Sequence, residues 1–153
     1  MTLNRLKKIW DNGEYALNGW LSINNSFIAE IMSRQNYDTL TIDMQHGLID
    51  YSDLLGMLQG ITGSNVTPIV RVPWLDPSYI MKALDAGAQG IICPMINNKE
   101  EAEEFVSYMR YPPLGNRSFG PTRQNIIQGP DYYKTANENV LCIAMIETAE
   151  AME

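Results

Sequence analysis

Short strand-like runs alternate with amphipathic helical segments along this chain, and that alternation narrows its possible folds further than any other feature. Gly90-Ile91-Ile92-Cys93-Pro94-Met95-Ile96 is the plainest run, nearly all apolar, as a strand covered on both faces of a parallel sheet requires. Thr67 to Pro73 is another. So is Tyr37 to Asp43, in which Leu40 and Ile42 alternate with Thr39, Thr41 and Asp43 before Gly47 breaks the pattern. Parallel strands cannot be joined by a tight hairpin and need a longer crossover, usually a helix. The chain is therefore expected to be an α/β protein built from βα units.

The remaining segments fit this plan. Leu3, Leu6 and Trp10 share one face of a short leading helix that stops at Asn12-Gly13. Ala16 to Ile23 is apolar enough for a first strand, and Phe27, Ile28, Ile31 and Met32 mark a helix with Ser26 as its cap. Tyr51 to Ile61 carries Leu54, Leu55 and Leu58 on one side, and Asp76-Pro77 opens a helix that Gly87 closes. Asn98 to Tyr111 turns Ala102, Phe105, Val106 and Met109 inward and its glutamates outward. Val140 to Glu147 makes a fifth strand, and a further helix starts at Thr148. Pro112 to Asn139 has too little periodicity for one long element, so a lid or substrate-facing loop is expected there.

A chain of 153 residues with 45% hydrophobic content can bury a core, and its length suits one domain, residues 1–153. The net charge of −7 and pI of about 4.6 leave no basic surface for a phosphate backbone, which argues against a nucleic-acid partner. Cys93 and Cys142 lie in apolar runs without metal or redox spacing, as reduced packing residues of a cytoplasmic protein do. No run approaches membrane-span length, and Met1 to Trp10 lacks an apolar stretch of signal-peptide size. A soluble, cytoplasmic protein with no membrane partner is expected.

The strand ends hold the reactive side chains. The second run delivers Asp43, Gln45 and His46, the only histidine; the third delivers Arg71, the fourth Pro94 and Asn97, and the fifth Glu147. In parallel α/β folds the C-terminal ends of strands are where ligands bind. Ordinary roles stay open for each residue singly: Arg71 can pair with a surface acid, Glu147 can cap the next helix, and Gln45 and His46 can satisfy a turn. Charge at several successive strand ends is harder to explain that way, because desolvated charge needs a partner or a ligand.

Five stretches carry a resemblance to a known family. They are Ile42-Asp43-Met44-Gln45-His46; Val70-Arg71-Val72-Pro73-Trp74 with Asp76-Pro77; Leu84-Asp85-Ala86-Gly87-Ala88-Gln89; Arg110-Tyr111-Pro112-Pro113 with Gly115 and Arg117; and Ile146-Glu147-Thr148. In register from the leading helix to residue 153, the chain resembles the HpcH/HpaI family of class II aldolases, 4-hydroxy-2-oxoheptanedioate aldolase and its relatives. The resemblance implies a TIM (β/α)8 barrel and metal-dependent cleavage of a 4-hydroxy-2-oxo acid to pyruvate and an aldehyde. By position it makes His46 the catalytic base and Asp85 the carboxylate paired with it. Arg71 becomes the contact to the pyruvate oxygens and Glu147 the first of two metal carboxylates. Gln45, Trp20 and Arg117 are assigned with Arg71 to substrate binding. Oxygen ligands imply a divalent Mg, Mn or Co ion.

The chain departs from the family at three points. Gln45 stands where the family often has Glu, and Met145 replaces a glutamine that commonly supports the site. The second metal carboxylate belongs to a sixth strand, expected beyond residue 153. Roughly 250 residues are usual for such a barrel, so this chain is expected to hold about five of its eight βα units. Two other readings stay open: a non-catalytic half-barrel that binds a partner or itself, and a relative acting on a different oxo acid or ester. The family resemblance also implies a homo-oligomer, commonly a hexamer. The 153-residue chain by itself is expected to self-associate, because the interior side chains Ile91, Cys93, Ile143 and Met145 lack an opposing layer.

Overall fold

The computed structural model describes residues 4–153. In chain order the elements are α1 (Arg5–Asp11), β1 (Asn18–Leu21), α2 (Ser26–Ser33), β2 (Thr39–Asp43), α3 (Tyr51–Ile61), β3 (Thr67–Arg71) and α4 (Pro77–Ala86). There follow β4 (Gly90–Cys93), α5 (Lys99–Met109), α6 (Thr122–Gln128), α7 (Tyr133–Asn139), β5 (Leu141–Ala144) and a 3₁₀ turn at Glu150–Met152. The strands form one parallel sheet in the order β1-β2-β3-β4-β5. Each crossover moves on by one strand without reversal, so the sheet has no switch point of the doubly wound kind. This is the winding of a TIM barrel, with four complete βα units and a fifth strand that is followed by the 3₁₀ turn.

Local sequence sets the helix ends. Asp50 and Asp53 form a reciprocal capping box at the start of α3, and Asp76 caps α4 with Pro77 in its first turn. Gly87 ends α4 at a φ of 127°, where a side chain would be strained. The cap of α2 is Asn25 rather than Ser26: Asn25 is extended, and its side-chain oxygen accepts from the Ile28 peptide N–H at 2.9 Å. In α1, Leu6 is buried while Trp10 is exposed, and Leu3 lies outside the described residues.

The two faces of the sheet have different work. Leu40, Ile42, Val70, Ile91 and Cys93 are fully buried in the core cluster that also takes in Leu54, Leu58, Ile80, Leu84 and Phe105 from α3, α4 and α5. The opposite face, by alternation, carries Trp20, Thr39, Thr41, Asp43, Ile69, Arg71 and Ile143. Ile91 and Cys93, expected in the barrel interior, thus face the helices instead. A period of two puts them on the other side from Ile92 and Ile143, which are paired in register.

Pro112 to Asn139 is neither a lid nor a loop over the strand C-termini. It contains α6 and α7 and packs against the opposite end of the sheet. Gln124, fully buried, donates to the Leu84 and Ala88 carbonyls at 2.8 and 3.1 Å, and Arg123 donates to the Ala86 carbonyl and to Thr62 Oγ1. Those carbonyls sit where α4 ends and β4 has yet to begin, which is the N-terminal side of a parallel sheet. Prolines and glycines made the segment irregular in sequence, but buried polar anchors give it a fixed place.

Candidate active site

The parallel register pairs Asp43, last residue of β2, with Arg71, last residue of β3. Paired residues in a parallel sheet project to the same face, so carboxylate and guanidinium meet across the strands. Arg71 donates from Nε to Asp43 Oδ1 at 2.8 Å and from Nη2 to Oδ2 at 2.7 Å, a bidentate fork. Trp20 on β1 adds its indole N–H to Oδ2 at 3.3 Å, and its ring centroid lies 4.9 Å from the guanidinium carbon. Among the described residues, Arg71 Nη1 is left with only Met145 Sδ, at 3.8 Å, as an acceptor, and a thioether is a weak one.

Asp43 is 2% exposed. Burial pushes its pKa up, but the bonds from Arg71, from the His46 and Gln45 peptides and from Trp20 together prevail and hold it at about 2. Arg71 is raised, first by its hydrogen bond to Asp43, against its own burial, with the charges of Asp43 and Glu147 adding to the effect.

The turn after β2 is fastened to the same carboxylate. The Gln45 and His46 peptide N–H groups donate to Asp43 Oδ1 at 3.0 and 3.3 Å. Gly47 completes the turn, and a Cβ there would run into the Asp43 carbonyl oxygen. The His46 side chain is exposed, whereas the side-chain oxygen of Gln45 is buried without a hydrogen-bond partner. At the β5 mouth, exposed Glu147 accepts from the Met95 peptide N–H at 2.9 Å. Met95 has a φ of 57°, a region few non-glycine residues adopt.

Trp20, Gln45, His46, Arg71 and Glu147 thus gather at the C-terminal ends of the strands. Asp85 and Arg117 do not. Asp85 is near the end of α4, and helix ends in this topology lie beside strand starts, at the other side of the sheet from His46. Its partner is Arg117, whose Nη2 donates to Asp85 Oδ1 at 2.8 Å. Within the chain the expected His46–Asp85 pair is replaced by this one. Arg117 is 3% exposed, stacked on Tyr111 and hydrogen-bonded to Tyr132, so it is a buried structural cation and not a substrate contact of this mouth. Burial raises the Asp85 pKa despite Arg117.

Asp43 is recognisable in the sequence as a strand-end residue, but the family resemblance assigns it no role of its own. Counting β2 and β3 from their first threonines would have aligned it with Arg71. The Met145 contact had no such signal, since it depends on where β5 lies relative to β3.

Among the described residues no group of three or more His, Cys, Asp or Glu side chains could hold a metal ion. Asp43 is committed to Arg71, and Glu147 stands as a single carboxylate. By themselves these residues do not fit a metal.

Charged side chains at the ends of consecutive parallel strands, on a sheet wound in one direction, define a protein of the TIM-barrel class. Within that class the chain belongs to the HpcH/HpaI aldolase/citrate lyase family, whose model matches residues 17–153. It is 45% identical over 150 residues to the hydroxypyruvate/pyruvate aldolase of Rhizorhabdus wittichii, covering 98% of this chain and 60% of that protein. It is 36% identical over 155 residues to a 4-hydroxy-2-oxo-heptane-1,7-dioate aldolase of Escherichia coli, covering 98% and 58%. A crystal structure of an HpcH/HpaI aldolase/citrate lyase family protein from Burkholderia cenocepacia superposes with a TM-score of 0.89 at 34% identity, over 97% of this chain and 61% of that one. The chain spans about 60% of the length of the curated relatives it matches. Among the described residues no helix is long and apolar enough to cross a membrane.

Proposed function

We propose that the whole protein is a class II aldolase that cleaves 4-hydroxy-2-oxo acids to pyruvate and an aldehyde and catalyses the reverse addition. In cleavage a base takes the proton of the carbon-4 hydroxyl, the bond between carbons 3 and 4 breaks, and its electron pair becomes the enolate of pyruvate, later protonated at carbon 3. The observation that carries this reading is Arg71 Nη1. Two nitrogens of the guanidinium are held by Asp43, and the third faces the mouth with only a thioether on it. A fixed donor suits the oxygen on carbon 2, where negative charge develops. His46, exposed on the neighbouring turn, is the base for the hydroxyl proton. Trp20 forms a wall beside Arg71, and Gln45 stands next to His46 on the turn as a further substrate-side residue.

A divalent ion, Mg, Mn or Co, belongs to this proposal for the whole protein, with Glu147 as one of its oxygen ligands. The protein would work in the cytoplasm as a homo-oligomer. Hydroxypyruvate is a second candidate for the donor acid, because the 45%-identical relative is named for it as well as for pyruvate.

The test is pyruvate release from 4-hydroxy-2-oxo acids by the whole protein and by its His46→Ala variant. The variant is expected to lose about 10²–10⁴-fold in turnover while keeping its fold. Unchanged turnover would remove His46 from the mechanism, and an inactive wild type would overturn the aldolase reading.

A further inference from the structure

Asp43 makes five hydrogen bonds with two oxygens. Oδ1 accepts from Arg71 Nε at 2.8 Å and from the Gln45 and His46 peptides at 3.0 and 3.3 Å; Oδ2 accepts from Arg71 Nη2 at 2.7 Å and Trp20 Nε1 at 3.3 Å. A carboxylate has about four lone-pair positions, so donors of the chain itself already fill this one. Neutralising Arg71 would need only one of these bonds. The others join three neighbouring strands and the turn that bears His46.

The two arms have different consequences. The bidentate fork fixes the rotation of the guanidinium plane, so Nη1 is aimed by geometry and not by the substrate. The peptide arm sets where the turn leaves β2 and hence where His46 starts. One side chain therefore holds both the donor and the base in a single frame, and a shift of one relative to the other must pass through it.

We propose that Asp43 is the positioning residue of this site, orienting Arg71 and the Gln45–His46 turn together without itself touching the reacting atoms. The idea rests on the aldolase reading for its kinetic consequence and on the contacts alone for its geometry. Asn in place of Asp43 has the same shape but only one acceptor oxygen, and its amide nitrogen would face an arginine N–H. Displacement on the order of 1 Å at a reacting centre can cost about 10²-fold in rate.

In the whole protein, Asp43→Asn is expected to lower turnover by about 10²-fold with the fold retained. Arg71→Ala should be partly rescued by free guanidinium ion, which the intact Asp43 carboxylate and the Trp20 face can seat in the vacated place. The double variant Asp43→Asn/Arg71→Ala should show no rescue. Equal rescue of both, or wild-type turnover in Asp43→Asn, would overturn the proposal. A readout independent of activity is the Arg71 Nε–H resonance, expected to exchange slowly in the wild type and rapidly in Asp43→Asn. An unchanged resonance would overturn the positioning role even if the wild type releases no pyruvate, a result that would separately sink the aldolase reading. Should Asp43→Asn fail to fold, Asp43→Glu keeps the charge, moves the carboxylate by one methylene, and is expected to show the same losses.

Discussion

Two aspartate–arginine pairs stand at opposite ends of one sheet, with closest contacts of 2.7 and 2.8 Å, and nearly everything around them differs. At the strand C-termini Asp43 is ringed by donors and its pKa falls to about 2, while the third nitrogen of Arg71 is left for something else. At the other end Asp85 receives a single bond from Arg117, burial dominates, and its pKa rises. Arg117 is closed in by Tyr111 and Tyr132, and its Nε has no partner. An ion pair is thus defined less by its contact distance than by how many donors serve the carboxylate and by what the spare guanidinium nitrogens face. The first pair presents a donor; the second locks a segment onto the end of the sheet.

The largest effect should separate the two pairs by what they support. Arg117→Ala leaves Asp85 half-buried without its cation, and breaking a buried pair from one side costs about 3–5 kcal/mol. Urea unfolding is expected to show that loss, with α6 and α7 the first regions to lose amide protection. A change below about 1 kcal/mol would mean that the tyrosines and not the ion pair hold the segment.

Opposite pH dependences come next. For Asp43 the folded pKa lies below the ordinary 3.8, so its contribution is fully present above 3.8 and is lost as the pH falls through about 2. For Asp85 the folded pKa lies above 3.8, so ionisation costs stability as the pH rises from 3.8 through its raised value. On acidification the stability gap between wild type and Asp43→Asn should close, whereas wild type should gain on Asp85→Asn. Gaps that move together would erase the distinction drawn between the pairs.

Trp20→Phe is the mildest test. It removes one of five bonds to Asp43 and keeps a ring under Arg71, so about 0.5–1.5 kcal/mol of stability should go. Thermal denaturation will measure it, and a loss as large as that of Arg117→Ala would make Trp20 a core residue and not a wall of the mouth.

Much of this is legible in the sequence alone. Asp76-Pro77, Asn98 and Gly87 bound their helices as local chemistry demands, and the strand runs centred on Ile42, Val70 and Ile91 lie where alternation and apolar content put them. The cap of α2 falls one residue before Ser26, because Asn25 is an equally good cap and only backbone conformation separates them. Pro112 to Asn139 differs more from its local pattern. Its anchors, Gln124 on the Leu84 and Ala88 carbonyls and Arg117 on Asp85, join residues more than thirty positions apart, and no local pattern encodes such a bond.

Period, capping and strand-end chemistry are properties of neighbours along the chain, so the sequence by itself determined a parallel βα protein with His46, Arg71 and Glu147 at strand ends. Partnership is a property of register and of which end of the sheet an element reaches. Only the tertiary structure could therefore decide that the Arg71 fork grips Asp43, that Asp85 pairs with Arg117 within the chain, and that Ile91 and Cys93 face helices. The physical reason is that a side chain's partner is set by a sum of distant packing choices, while its own conformation and polarity are set within a few residues.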